Sequence, residues 1–225
     1  MNLLEQQLNY PLGETLPDSG QALEIAPGVR WIRMALPFAL NHINLWLLRD
    51  EIDGRAGWTV VDCGIDNPAT REAWLQVEQH PLQGLPILRV IVTHMHPDHM
   101  GLAHWLCERW QAPLWMSTSE YQSAVLAQSG VSNFGGEPTM KFYAAHGWNK
   151  TEDLLQIKAR VGYYPSMVPQ VPPAYVRLMA DHTVRINGQD WRCISGYGHS
   201  PEHMALYCEQ SQTLISGDML LPSIS

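Results

Sequence analysis

The 225-residue sequence contains no long apolar run. Nothing in it approaches the ~20 residues that a helix needs to cross a bilayer, so no membrane-spanning segment is expected. Positive charge is also scarce. With 14 Lys and Arg against 22 Asp and Glu, the formal net charge is −8. That argues against a general binder of polyanions, because nucleic-acid affinity leans on clustered cations. The N-terminal stretch MNLLEQQLNYPLGETLPDSG has no basic segment leading into an apolar one, so no export signal is expected. Cysteine is limited to Cys63, Cys107, Cys193 and Cys208, with no C-x-x-C pair. These read as reduced, mostly buried thiols of a cytoplasmic protein. Internal repeats and low-complexity tracts are missing too, and so is a G-x-S-x-G elbow for a serine nucleophile.

What is present is the composition of a packed domain: 45% hydrophobic residues and nine tryptophans. A polar arm is expected over residues 1–20 and one domain over 21–225. Strands are predicted at 29–36, 43–50, 58–64, 88–94 and 113–116, the fourth apolar enough to be buried on both faces. Asn67-Pro68 reads as a cap and first residue of a helix reaching Glu78. In GLAHWLCERW (101–110), Leu102, Trp105, Leu106 and Trp110 recur at helical spacing. Ser117-x-x-Glu120 has the form of a capping box opening the next helix. A partly helical insertion is expected at about 129–175, including one helix capped by Thr151 and stopped by Gly162. Its aromatic residues Phe142, Tyr143, Trp148, Tyr163, Tyr164 and Tyr175 are expected mostly to pack it onto the body. Asn187-Gly188 then marks a hairpin, and a second hairpin turns at Gln210–Gln212.

The densest chemistry lies in VTHMHPDHMG (92–101), with His94, His96, Asp98 and His99 inside six positions. Imidazole and carboxylate together suit Zn²⁺ and other first-row divalent ions. On an extended segment, side chains at i and i+2 share a face, so His94 and His96 can grip one ion from one side. Pro97 turns the chain, and Asp98 and His99 can face a second ion. The plainer alternative is a histidine-rich surface turn. Further on, GYGHSPEH (196–203) carries His199 in a glycine-flanked loop, and ISGDML (215–220) carries Asp218 at a strand end. Taken singly, these also read as a turn histidine and a capping aspartate.

In this order the three stretches resemble the metallo-β-lactamase superfamily, whose signature is H-x-H-x-D-H, a G-H-S/T-P-G-H type loop and S/T-G-D. Asp62, in VVDCG, resembles the family's acidic strand end, a position from which a carboxylate can orient ligand histidines. The resemblance implies an α+β fold, a four-layer αββα sandwich with metals at one edge. It implies that His94, His96 and His199 hold the first ion and that Asp98 and His99 hold the second, with Asp218 bridging. Glu202 stands where the family often has glycine, and His203 matches a histidine that is usually not a ligand.

Seven residues follow Asp218 and none is histidine. The family's final ligand, with the strands and helix around it, is therefore expected to be missing. The second site is expected to bind more weakly, and an exposed sheet edge to favour pairing into a homodimer. The activity implied is metal-dependent hydrolysis, in which a metal-bound hydroxide attacks a thioester, ester or lactone and Asp98 orients the nucleophile. The alternatives are a phosphodiesterase or nuclease of the same superfamily, and a non-catalytic metal-binding fragment. Two zinc ions are the expected cofactor, with iron or manganese accepted by the same ligands. A small molecule, rather than a nucleic acid or a membrane, is the expected partner.

Overall fold

A computed structural model describes residues 7–130 and 135–221. The first part of the expected arm, a few residues of the expected insertion and the end of LLPSIS lie outside the described residues. Among the described residues, eleven strands form two sheets. The larger sheet runs in chain order: β1 (Leu23–Ala26), β2 (Val29–Ala35), β3 (His42–Ile52), β4 (Arg55–Val61), β5 (Ile87–Ile91), β6 (Leu114–Ser117) and β7 (Tyr175–Leu178). Strands β1 to β4 pair antiparallel, and β4 to β7 pair parallel. Parallel neighbours need long crossovers, and these carry the helices.

Helix α1 (Pro68–Gln79) starts where expected: the Asn67 side chain accepts the Thr70 N–H at 2.8 Å, and Pro68 occupies the first helical position. It buries Thr70, Ala73, Trp74 and Val77, a stripe at helical spacing. The Trp74 indole donates to the Cys63 carbonyl at 2.8 Å, so this large residue is buried without an orphaned N–H. A single turn, α2 (Pro97–Met100), and α3 (Ala103–Trp110) follow β5. Helices α4 (Thr118–Gln128), α5 (Gly136–Ala145), α6 (Thr151–Ala159) and α7 (Tyr163–Met167) lie between β6 and β7.

The smaller sheet is an antiparallel meander of β8 (Thr183–Ile186), β9 (Gln189–Gly196), β10 (His203–Cys208) and β11 (Thr213–Ile215). Both expected hairpins are there. Two apolar cores result. One lies between the larger sheet and its helices, around Trp58, Trp74, Val90, Val92 and Leu106. The other lies between the sheets, where Val61 and Ile91 meet Trp191, Leu206 and Ile215. Strand β5 feeds both, Val90 facing one core and Ile91 the other, which is why its sequence shows no alternation. The layers are thus helix, sheet, sheet. No helix covers the outer face of the smaller sheet among the described residues.

Several expectations change. Strand β5 ends at Ile91, so His94 stands beyond the strand rather than in it. Thr151 is the first residue of α6 rather than its cap, and Lys150 occupies the cap position without a side-chain capping bond. Most insertion aromatics do not pack onto the body. Phe142, Tyr143, Trp148 and Tyr163 are exposed, and they meet one another, His146, Asp153 and Phe38. Tyr164 alone is fully packed.

The sheets are stapled away from the cores by a buried charge. Asp50 accepts from Thr59 (2.6 Å), from Arg89 (2.6 Å) and from the Asn187 N–H (3.0 Å), and Arg89 also donates to the Arg185 carbonyl at 2.8 Å. Removing one partner strands the other's charge in the interior. Asp50→Ala should therefore lower stability by about 3 kcal/mol or more. Urea unfolding at fixed metal content checks this, and a loss typical of a surface substitution would contradict it.

Candidate metal centre

Every histidine in the cluster sits where a strand has just ended. Past β5, Thr93 leads into His94, Met95 and His96, and Pro97 starts α2, which carries Asp98 and His99. Past β9, the loop reaches His199, and past β11 a turn at Gly217–Met219 presents Asp218. The backbone at Gly217 has φ +49°, and a Cβ there would run into the His203 ring. The glycine of S-G-D is thus set by a close approach as well as by the turn.

Two groups of ligand-type atoms come together, each within 4.8 Å: His94, His96 and His199, and His94, His99 and Asp218. His94 Nε2 lies 2.9 Å from His96 Nδ1 and 3.1 Å from His199 Nε2. His99 Nε2 lies 3.4 Å from Asp218 Oδ1 and 3.5 Å from Asp98 Oδ2, and His199 Nε2 lies 3.3 Å from Asp218 Oδ2. Atoms that share an ion at roughly 2.0–2.2 Å stand about 3 Å apart, and these gaps are of that size. His99 Nε2 is buried with no hydrogen bond of its own, aimed at the two carboxylates. A buried ring nitrogen without a hydrogen bond is costly, and it is relieved either by a proton facing these carboxylates or by a cation that replaces that proton. The donor set fits a divalent metal. Five of the six expected residues fall in these two groups, and Asp98 lies outside both, 3.5 Å from His99 Nε2.

The rings are oriented from behind. Asp62, buried and in the left-handed region at φ +64°, closes β4. It accepts the Thr93 N–H at 2.8 Å, the Thr93 hydroxyl at 2.9 Å and His99 Nδ1 at 2.8 Å. The Thr93 hydroxyl, having donated to Asp62, accepts from His94 Nδ1 at 3.1 Å, which leaves His94 Nε2 bare toward the centre. His203 Nε2 accepts the Asp218 N–H at 3.2 Å and so positions the turn carrying that carboxylate. Asp62 is visible in the sequence through its motif. Thr93 is not, since a threonine in a β-branched strand carries no signal.

Burial, reinforced by the neighbouring imidazoles, pushes His94 well below the ordinary histidine value and His96 down to about 4. Burial also holds His203 at about 4. These rings are neutral at pH 7, with lone pairs available. His99 differs. Burial alone would lower it, but Asp62, then Asp218 and Asp98, raise it well above the ordinary value. Asp218 is lowered overall because His99, His199 and His203 outweigh its burial.

The sequence profile of the metallo-beta-lactamase superfamily matches residues 40–225. The chain belongs to that superfamily. A crystal structure of a beta-lactamase domain protein from Burkholderia ambifaria aligns with a TM-score of 0.90 at 52% identity, over 100% of this chain and 63% of that one. A superfamily member from Thermus thermophilus aligns at 0.70 and 24% identity, over 90% of this chain and 62% of its own, and speaks for the fold alone. A relative from Bacillus subtilis (strain 168), described as the probable metallo-hydrolase YflN, is 19% identical over 216 residues, 90% of this chain and 68% of that protein. This superfamily member thus spans less than two thirds of the length of the two solved relatives.

At pH 7 a metal ion entering beside His99 must displace its proton, whereas one entering between His94 and His96 displaces none from them. The sign follows: affinity at the His99 side rises with pH through the neutral range. Imidazole ¹⁵N shifts of the metal-free protein at pH 7 should show His99 protonated on both nitrogens and His94, His96 and His203 neutral. A neutral His99 would refute this.

Proposed function

We propose that the chain is a metallohydrolase that holds two divalent ions, one through His94, His96 and His199 and one through Asp98 and His99, with Asp218 between them. The observation that carries this reading is the pair of ligand groups sharing His94, each within 4.8 Å. Zinc suits the imidazole-rich donors, and iron and manganese suit the same set. When bound, such ions supply Lewis acidity and lower the pKa of coordinated water toward neutrality.

The chain's own residues do the rest. Neutral His94 and His96 offer lone pairs without first losing a proton. Asp62 fixes the His99 ring so that Nε2 faces the centre, and Thr93 does the same for His94. Asp98, half-buried and beside His99 Nε2, orients the attacking water through its carboxylate. The substrate is a small ester, thioester or lactone. The net charge of −8 supports a small molecule over a nucleic acid. The four free thiols support a reducing, cytoplasmic setting. No helix among the described residues is long and apolar enough to cross a membrane.

The test is a screen of zinc-loaded protein against aryl esters, acyl thioesters, lactones and bis(p-nitrophenyl) phosphate. Hydrolysis of a carbonyl substrate should vanish on chelation, and His96→Ala should cost more than the roughly 100-fold typical of losing a contact that supports a ligand. Preference for the phosphodiester overturns the substrate class. Full metal loading without turnover of any substrate favours the non-catalytic reading.

A further inference from the structure

The segment carrying His94 and His96 is held by more than its own strand. Met95, between them, is buried with both backbone polar groups engaged. Its N–H donates to Glu120 Oε2 at 2.8 Å, and its carbonyl accepts the Tyr164 hydroxyl at 2.6 Å. Glu120 comes from the first turn of α4 and Tyr164 from α7, both distant in sequence. The other Glu120 oxygen reaches the loop of His199, accepting the Ser200 hydroxyl at 2.6 Å and the Glu202 N–H at 2.6 Å. Glu202 is itself tied to the start of α4: its carbonyl accepts the Ser117 hydroxyl at 3.0 Å and its carboxylate the Ser119 hydroxyl at 2.8 Å.

The capping box read from S-T-S-E is therefore half right. Ser117 caps α4 by accepting the Glu120 N–H at 3.4 Å, but the Glu120 carboxylate turns into the interior instead of back to Ser117. It is fully buried and pairs with no Lys or Arg among the described residues. A buried carboxylate is costly unless donors fill its lone pairs. The three donors here come from the two segments that deliver His94, His96 and His199. Those segments follow strands of different sheets, so the 3.1 Å between His94 and His199 depends on what spans the gap. One backbone bond does so, from the Met204 N–H to the Thr93 carbonyl at 2.8 Å. Glu120 supplies the side-chain link.

We propose that Glu120 and Tyr164 are positioning residues of the metal centre, gripping Met95 from both sides and fixing the distance between the H-x-H segment and the His199 loop. Through Tyr164, the helices between β6 and β7 become part of that centre. This rests on the metal-binding reading above. Glu120→Gln is not neutral, because an amide that accepts from Ser200 and Glu202 must turn its NH₂ toward the Met95 N–H. Tyr164→Phe removes one hydroxyl and leaves a buried carbonyl unpaired.

The experiment titrates metal-stripped wild type, Glu120→Gln and Tyr164→Phe with cobalt(II) chloride, measuring affinity by chelator competition and site geometry from the visible cobalt absorption. Tyr175→Phe, which loses a 3.0 Å bond to Thr118, the first residue of α4, is the control, and metal-free melting curves are recorded for all four. The expected result is cobalt affinity roughly 10- to 100-fold weaker with an altered band in Glu120→Gln. A smaller loss of the same kind is expected in Tyr164→Phe, and wild-type binding in the control even if its melting temperature falls. Wild-type affinity and spectra in the two test variants overturn the proposal, whatever happens to their melting temperatures. If Glu120→Gln does not fold, Tyr164→Phe decides alone. If wild type takes up no cobalt, the metal reading fails and this proposal with it; equal uptake by all four overturns this proposal only.

Discussion

Two buried carboxylates that pair with no lysine or arginine among the described residues, Asp62 and Glu120, organise the centre. A carboxylate in the interior must collect hydrogen-bond donors or it will not stay ionised there. Each of these collects them from segments that carry candidate ligands. Asp62 takes Thr93 and His99, joining the ends of β4 and β5 to α2. Glu120 takes Met95, Ser200 and Glu202, joining the larger sheet's loop to the smaller sheet's. The need to satisfy two negative charges thus fixes four chain segments relative to one another. The apolar cores on either side of the larger sheet bring the strand ends close. The last ångström is set by these polar contacts.

Many of the elements and the cluster of ligand-type residues are legible in the sequence because their signals are local, and the fold is legible through the resemblance that the motifs carry. Three histidines and an aspartate within six residues need no partner elsewhere to look unusual. Asn67-Pro68, Asn187-Gly188 and the alternation of β9 report geometry at the residue itself. Glu120, Thr93 and Tyr164 are not legible, because what they do depends on contacts that the sequence does not announce. Glu120 lies 25 residues from Met95 and 80 from Ser200. On its own helix it has the right spacing for a cap, and that local explanation conceals the distant one.

The region between β6 and β7 departs from expectation for a related reason. Helix α6 buries no residue and α5 buries only Gly136, so neither carries the apolar stripe from which a helix packed on a core is recognised. Helix α6 is readable through the charges at its two ends, and α5 offers no such sign. Aromatic side chains ordinarily offset the cost of ordering by burial, hence the expectation that these would pack. Here α5 and α6 pack mainly on each other, and only α7 is anchored, through Tyr164 and Met167. The Asp66 N–H to Met167 carbonyl bond, at 2.9 Å, ties α7 to the loop that follows β4. The exposed aromatics are therefore a property of two helices held at arm's length by a third.

The two halves of the centre are not equivalent, and the difference follows from what lies behind each ring. His94 donates rearward to a neutral hydroxyl, so nothing raises its basicity, and burial among other imidazoles keeps it neutral. His99 donates rearward to Asp62, a full negative charge, and faces two more carboxylates in front. The same side chain, five residues on, is therefore driven toward the cation. A proton occupying His99 does what a second metal ion would do there: it neutralises a pocket of converging carboxylates. On the His94 side the neutral His94 and His96 rings bring their nitrogens to 2.9 Å of one another with no carboxylate behind them. On this argument the imidazole-lined half depends most on an ion for its geometry, and the carboxylate-lined half can keep its shape with a proton in the ion's place.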